Sequence, residues 1–235
     1  MIHLLHVVSR NPTIALNLPY YSTAKVDFFS ILEAIQDSLN SLNFMLDIIL
    51  SKTGLLIPPD LIPDLKIEKK TYKKNDIITR EGQIEKYAYA LREGCVKATF
   101  NHNDTYFILG FWFKGDMFSS LVSFLEQSPS RTNIIALTET EVERVDYTQI
   151  QKYYRQYHMV SEVGRKVIEH QFILKANREL EMLSKTAEER YMELIEQSGH
   201  LILDQPVKEI ASYLGIHPES LSRIRRRIKQ QMQMK

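Results

Sequence analysis

The sequence predicts an α+β fold in which an antiparallel sandwich or barrel precedes a long helix and a C-terminal helix-turn-helix. Three observations carry this. Between residues 66 and 147, short runs rich in Ile, Tyr, Val, Phe and Thr alternate with turn residues. Residues 148–184 keep an apolar stripe at helical spacing. Residues 205–229, QPVKEIASYLGIHPESLSRIRRRIK, then carry two short amphipathic patterns joined by a glycine.

The β-rich runs lie near 67–72, 77–80, 86–92, 95–100, 105–113, 132–137 and 141–147. Gly82, Gly94, the Asn101–Asp104 stretch and Gly115–Asp116 punctuate them. Many short strands at this spacing make an antiparallel sandwich or barrel. Phe111, Trp112, Phe113, Phe118 and Phe124 read as its core. Upstream, residues 26–52 read as one amphipathic helix, with Phe28, Ile31, Leu32, Ile35, Leu39, Leu42, Leu46, Ile49 and Leu50 on its apolar stripe. Gly54, Pro58, Pro59 and Pro63 end it.

In the long helix Val160, Val163, Val167, Ile173, Leu174, Leu180 and Leu183 recur near the heptad period, with His170 and Asn177 close by. The preferred reading is a coiled coil joining two chains. Packing onto the chain's own β domain is the other. Thr186-Ala187-Glu188-Glu189 is a capping box for a further helix reaching about Gln197. The expected organisation is therefore an N-terminal extension (1–44), a β-roll (45–147), a dimerisation helix (148–184) and a helix-turn-helix domain (185–235).

Within the last of these, Pro206 suits a helix start. Ile210, Ala211 and Leu214 share one face, and Gly215 supplies the left-handed stop. Pro218 opens the next helix, whose apolar face is Leu221, Ile224 and Ile228. Its polar face holds Glu219, Ser220, Ser222, Arg223, Arg226 and Arg227. Two amphipathic helices with a Gly turn, the second rich in arginine, form a unit that reads double-stranded DNA. An arginine run at a helix end is also what a solvated face produces, favoured by the helix dipole.

Composition is that of an ordinary water-soluble chain: 235 residues, 44% hydrophobic and 25% charged, with formal net charge +1. The charge is uneven. Residues 206–235 hold seven basic residues against two acidic ones, or +5, which leaves −4 for the rest. A basic patch on a near-neutral molecule is a docking face for a polyanion. The lone cysteine, Cys95, excludes an intramolecular disulfide and a multi-cysteine iron–sulfur cluster, and fits a cytoplasmic location. No membrane span and no signal peptide are expected. No Ser-His-Asp set, phosphate-binding loop or paired carboxylates stand out. A metal enzyme on the β domain would need a converging His/Glu triad, which is not found. The expectation is a non-enzyme with no cofactor and no metal site.

The chain resembles the Crp/Fnr family of bacterial transcription regulators over roughly residues 45–232, most of all its Bacteroidetes members. In the β domain the resemblance rests on Lys74-Asn75-Asp76-Ile77-Ile78, Arg80-Glu81-Gly82, Leu91-Arg92-Glu93-Gly94-Cys95-Val96 and Lys114-Gly115-Asp116. In the C-terminal part it rests on Ala187-Glu188-Glu189-Arg190-Tyr191 and on the run from Ile210 to Ile224. It implies an antiparallel, cyclic-nucleotide-binding-like β-roll, a C-terminal winged helix-turn-helix, a homodimer, binding to DNA, contact with RNA polymerase and control by a small-molecule effector; a ligand-binding signalling β-roll module without a direct transcriptional role is the alternative. The E-x-x-S-R pattern of the Fnr-like branch falls on Glu219, Ser222 and Arg223. The resemblance then implies that Glu219 accepts from cytosine, Arg223 donates to guanine, Ser222 meets a base edge and Ser220 a phosphate, while Arg226 and Arg227 add phosphate attraction. Glu219 and Arg223, four residues apart, are near enough to brace each other.

The effector pocket departs from the family pattern. Nucleotide-binding members follow the Gly-Asp turn with a Gly-Glu-Leu segment, whose glutamate takes the ribose hydroxyl. Here the Gly and Glu positions are Ser119 and Ser120. Arg131-Thr132 falls near the family's phosphate-binding Arg-Ser place. These four are the candidate effector residues, and tight binding of cyclic AMP is not expected. Residues 1–44 have two open readings: a real helical extension, or translation upstream of a true start at Met45.

Overall fold

The computed structural model describes residues 44–103, 105–198 and 200–233. They fall within one compact unit, Asn43–Lys235. The expected extension and the first part of the expected 26–52 helix lie outside the described residues.

The described chain opens with helix α1 (Phe44–Thr53). Strands β1 (Glu68–Tyr72), β2 (Ile77–Thr79), β3 (Tyr87–Glu93), β4 (Cys95–His102), β5 (Thr105–Phe113), β6 (Met117–Phe118), β7 (Asn133–Ala136) and β8 (Thr140–Asp146) follow, with helix α2 (Leu121–Glu126) between β6 and β7. The strands pair antiparallel in two sheets, ordered β1-β8-β3-β6 (sheet A) and β2-β7-β4-β5 (sheet B). Short alternating runs broken by Gly and Asn give this result because each strand must bury one face. Tyr89, Leu91 and Val142 of sheet A meet Val96 and Ile134 of sheet B, with Phe118, in the core between them. Trp112 packs against this cluster. Met45 and Ile48 of α1 pack against Ala90 and Val145. The Met45 N–H donates to the buried Glu143 carboxylate at 2.7 Å. Edge strand β1 exposes Glu68, Lys69, Lys70 and Thr71, a charged border that discourages further strand addition. Helix α2 and the two-residue strand β6 were not anticipated.

The segment expected to be helical over 148–184 is two helices, α3 (Tyr147–Gln156) and α4 (His158–Ser184). They part at Tyr157, which is extended (φ −133, ψ 114). The Ser161 hydroxyl takes over the Tyr154 carbonyl at 2.7 Å. Gly164 lets the Tyr154 ring cross α4: a Cβ there would lie 2.0 Å from its hydroxyl. No Pro or Gly marks the break itself, so the apolar period ran through it.

Val160 and Val163, at the start of α4, are buried within the chain. Further along, Phe172, Ile173, Leu180 and Leu183 are 69%, 54%, 62% and 87% exposed. At about 100° of rotation per residue these four fall on one side of the helix. Arg178 and Met182 lie on another side and face the C-terminal helices.

Helices α5 (Ala187–Ser198), α6 (His200–Leu203), α7 (Val207–Leu214) and α8 (Pro218–Gln233) complete the fold. The capping box forms as expected: the Thr186 N–H donates to Glu189 at 2.7 Å, and the Glu189 N–H donates to the Thr186 hydroxyl at 3.2 Å. Helix α6, which leads into the helix-turn-helix, is a single turn, and the expected wing is not formed among the described residues. No strand follows Asp146 among the described residues.

Candidate nucleic-acid interface

Helix α7 ends at Gly215, whose left-handed backbone (φ 68, ψ 33) lets its N–H reach back to carbonyls of α7. After His217, helix α8 begins at Pro218. The packed faces are those read from the sequence. Ile210, Ala211, Leu214, Leu221 and Ile224 are buried in one cluster with Tyr191, Leu194 and Ile202. Arg190 ties this unit to the helices before it, donating to the Leu214 carbonyl at 2.9 Å and to the Lys185 carbonyl at 2.5 Å.

The opposite face of α8 is open. Glu219, Ser222, Arg223, Arg226 and Arg227 are exposed, and Ser220 is half-buried. Ser222 returns its hydroxyl to the Pro218 carbonyl at 3.1 Å. Arg223 takes Ser220 as its partner at 3.4 Å in place of the expected brace with Glu219. The Ser220 hydroxyl lies one turn back at i−3, on the same side of the helix as Arg223. Arg227 forms an ion pair with Glu188 of α5 at 2.7 Å. Arg225, which received no role, donates to the Tyr191 hydroxyl at 2.9 Å and lies 5.6 Å from its ring. The arginine run thus divides: Arg223 and Arg226 face outward, while Arg225 and Arg227 are tied to α5.

The four candidate effector residues do not converge. The Ser119 hydroxyl donates to the Tyr87 carbonyl at 3.0 Å. Arg131 is exposed and stacks its guanidinium 5.7 Å from the Phe100 ring. Only Ser120 and Thr132 meet, their hydroxyls 3.3 Å apart, and both also touch a third residue that carried no motif, Ser130. Ser120 and Ser130 share a 2.7 Å hydrogen bond, and the Ser130 hydroxyl also donates to the Thr132 carbonyl at 2.8 Å. A hydroxyl trio that is already paired offers an incoming phosphate little, because each new bond replaces one in place. Calorimetry with cyclic AMP is expected to give no saturable heat in the micromolar range; saturable heat there would mean that the trio opens. His102 is exposed beside Asn103. Among the described residues no three His, Cys, Asp or Glu gather to hold a metal ion, and no helix is long and apolar enough to cross a membrane. Burial pushes the Cys95 thiol up to about 12, with Asp116 adding to the shift, so it is an unreactive core residue.

Residues 69–157 match the family model of the cyclic nucleotide-binding domain. Among solved structures, FixK2 from Bradyrhizobium japonicum is 24% identical, with a TM-score of 0.58 over 71% of this chain and 86% of that one. A Eubacterium rectale protein assigned to the Crp/Fnr family of transcriptional regulators is 16% identical, with a TM-score of 0.58 over 73% of this chain and 82% of that one. The chain has the Crp/Fnr fold. A CooA mutant from Carboxydothermus hydrogenoformans shares that fold at 19% identity and a TM-score of 0.54, covering 81% of this chain and 86% of that one. A search of the curated proteins finds no sequence match. In this Crp/Fnr fold the matched nucleotide-binding domain spans β1–β8 and α3, and the open arginine face of α8 lies in the C-terminal helices beyond it.

Proposed function

We propose that this chain is a sequence-specific, DNA-binding transcription regulator that acts as a cytoplasmic homodimer. The observation that carries the reading is α8: a helix anchored by buried Leu221 and Ile224, with Glu219, Ser222, Arg223 and Arg226 all turned to solvent. Glu219 and Arg223 read base edges, Ser222 meets a base edge, and Ser220 takes a phosphate. Arg226 attracts phosphate directly, and Arg227 does so in exchange for Glu188. The exposed stripe Phe172, Ile173, Leu180 and Leu183 on α4 pairs the two chains. Pairing there sets two α8 helices about one DNA turn apart, roughly 34 Å, for a pseudo-palindromic site. An effector acting on the β-roll and a contact with RNA polymerase belong to the same reading.

The test is selection of bound sites from random DNA by the purified protein. A two-fold motif with guanine-containing half-sites is the expected result. No motif, with or without a metabolite pool, from a folded protein overturns the reading. Arg223→Ala is expected to lose about 1–3 kcal/mol of affinity and its preference at one base pair. Equal weakening on every sequence would make Arg223 a phosphate contact instead.

A further inference from the structure

We infer that Lys97, Glu209 and Ser212 form a latch between the β-roll and α7 that fixes the pose of the DNA-reading helices. This rests on the dimeric DNA-reading function proposed above. The latch lies away from the face of α8 that reads DNA.

Strand β5 is the last strand of sheet B, so its outer edge presents unpaired backbone groups. Helix α7 covers that edge. The Ser212 hydroxyl accepts from the Ile108 N–H at 3.0 Å and lies 3.4 Å from the Tyr106 carbonyl, to which it donates. One turn earlier on α7, at i−3, Glu209 pairs with Lys97 of β4. Lys97 is only 7% exposed, and its ammonium lies 5.5 Å from the Tyr106 ring. Burial opposes its charge, but hydrogen bonds to Glu209 and Tyr106 outweigh that and raise its pKa. A raised lysine keeps its contribution through neutral pH and loses it only as pH climbs past the raised value.

Tyr213 completes the contact. Its ring lies 4.9 Å from Phe111 of β5 and 3.7 Å from the Arg178 guanidinium of α4. Arg178 also donates to the Tyr213 carbonyl at 2.8 Å. One side chain therefore touches sheet B and the long helix together, on a side of α4 different from the apolar stripe.

The latch hides none of the exposed α8 residues, so occlusion is not its effect. It holds α7, and with it α8, in one orientation on the β-roll. Its centre is a buried ion pair in which one Glu209 oxygen has no hydrogen-bond partner. Such a pair contributes little net stability, yet removing one member leaves an uncompensated buried charge. Loss of Glu209 should therefore undock α7 from Lys97 and leave the reading face intact.

The experiment compares wild type, Glu209→Ala and the reversed pair Lys97→Glu with Glu209→Lys. Each is titrated with a single half-site and with two half-sites at varied spacing, taken from the selected motif. Glu209→Ala is expected to lose at least tenfold on the two-half-site DNA and to tolerate altered spacing. Its half-site affinity and salt dependence should stay within twofold, and the reversed pair should restore spacing selectivity. Equal loss on the single half-site, or unchanged spacing selectivity, overturns the latch. A DNA-free arm uses spin labels at exposed Thr105 and Lys229. Their distance distribution should be narrow in wild type and broad in Glu209→Ala; equal widths overturn the latch even if no DNA binds. Failure of wild type to select DNA, with the distributions differing, instead removes the function on which the inference was built.

Discussion

Leu221→Ala is expected to destabilise the C-terminal helices by about 2–5 kcal/mol, the range for emptying a fully buried leucine site. Leu221 has no exposed surface and lies at the centre of the cluster formed by Ile202, Ile210, Ala211, Leu214 and Ile224. It is the point at which α8 is held onto α7. Its neighbours are helical and capped at Gly215, so they cannot close over the missing volume without moving one helix. The same cluster includes Ile108 and Phe111 of β5. The loss should therefore appear as a lower denaturation midpoint that also weakens protection of the β5 edge. Arg223→Ala is the control. Arg223 is exposed, and a surface change of that kind should move stability by less than about 0.5 kcal/mol. Affinity lost without stability at Arg223, and both lost at Leu221, would separate reading from scaffolding. Equal stability in the two variants would mean that the α7–α8 core is not what holds the reading helix.

The legible parts of this fold were those that local chemistry decides. Gly94 and Gly215 mark backbone turns that other residues resist, and the strand runs between such turns formed within a residue or two of expectation. The α7–α8 unit was legible because Ile210, Leu214, Leu221 and Ile224 keep the helical period through both helices. What stayed hidden depends on partners distant in sequence. Lys97 reads as a solvated residue in a strand, and Glu209 as the polar face of a helix. Only the tertiary fold brings these residues, 112 positions apart, together. Arg227 looked equivalent to Arg226, and Arg225 had no role, until α5 supplied Glu188 and Tyr191. Ser130 carried no motif, yet it organises the hydroxyl trio that occupies the place expected of an effector site.

Gly94→Ala should be the most damaging single change in the β-roll. Gly94 has φ +96, a conformation that costs a side-chain-bearing residue about 1–3 kcal/mol. A Cβ would also meet the Glu139 backbone oxygen at 2.5 Å, the Thr140 hydroxyl at 2.7 Å and the Thr138 hydroxyl at 2.8 Å. Overpacking of that kind adds about 1–3 kcal/mol. The hydroxyls can rotate away, but the carbonyl is fixed in the turn joining β7 to β8. Cys95 is bound to that turn: its N–H donates to the Thr138 hydroxyl at 3.0 Å, and its carbonyl accepts from the Leu137 N–H at 2.8 Å. The position matters because β3 belongs to sheet A and β4 to sheet B, so Gly94 is where the chain crosses between them. Gly82 has a similar φ of +83 but no atom within 4 Å of the added carbon, so Gly82→Ala should cost the backbone strain alone. Chemical denaturation of both variants checks this. The larger midpoint loss should fall on Gly94→Ala, together with loss of the Lys97 contact that β4 carries. A cost at Gly94 no greater than at Gly82 would show that the β7–β8 turn yields, and that the crossing between the sheets is not fixed by this contact.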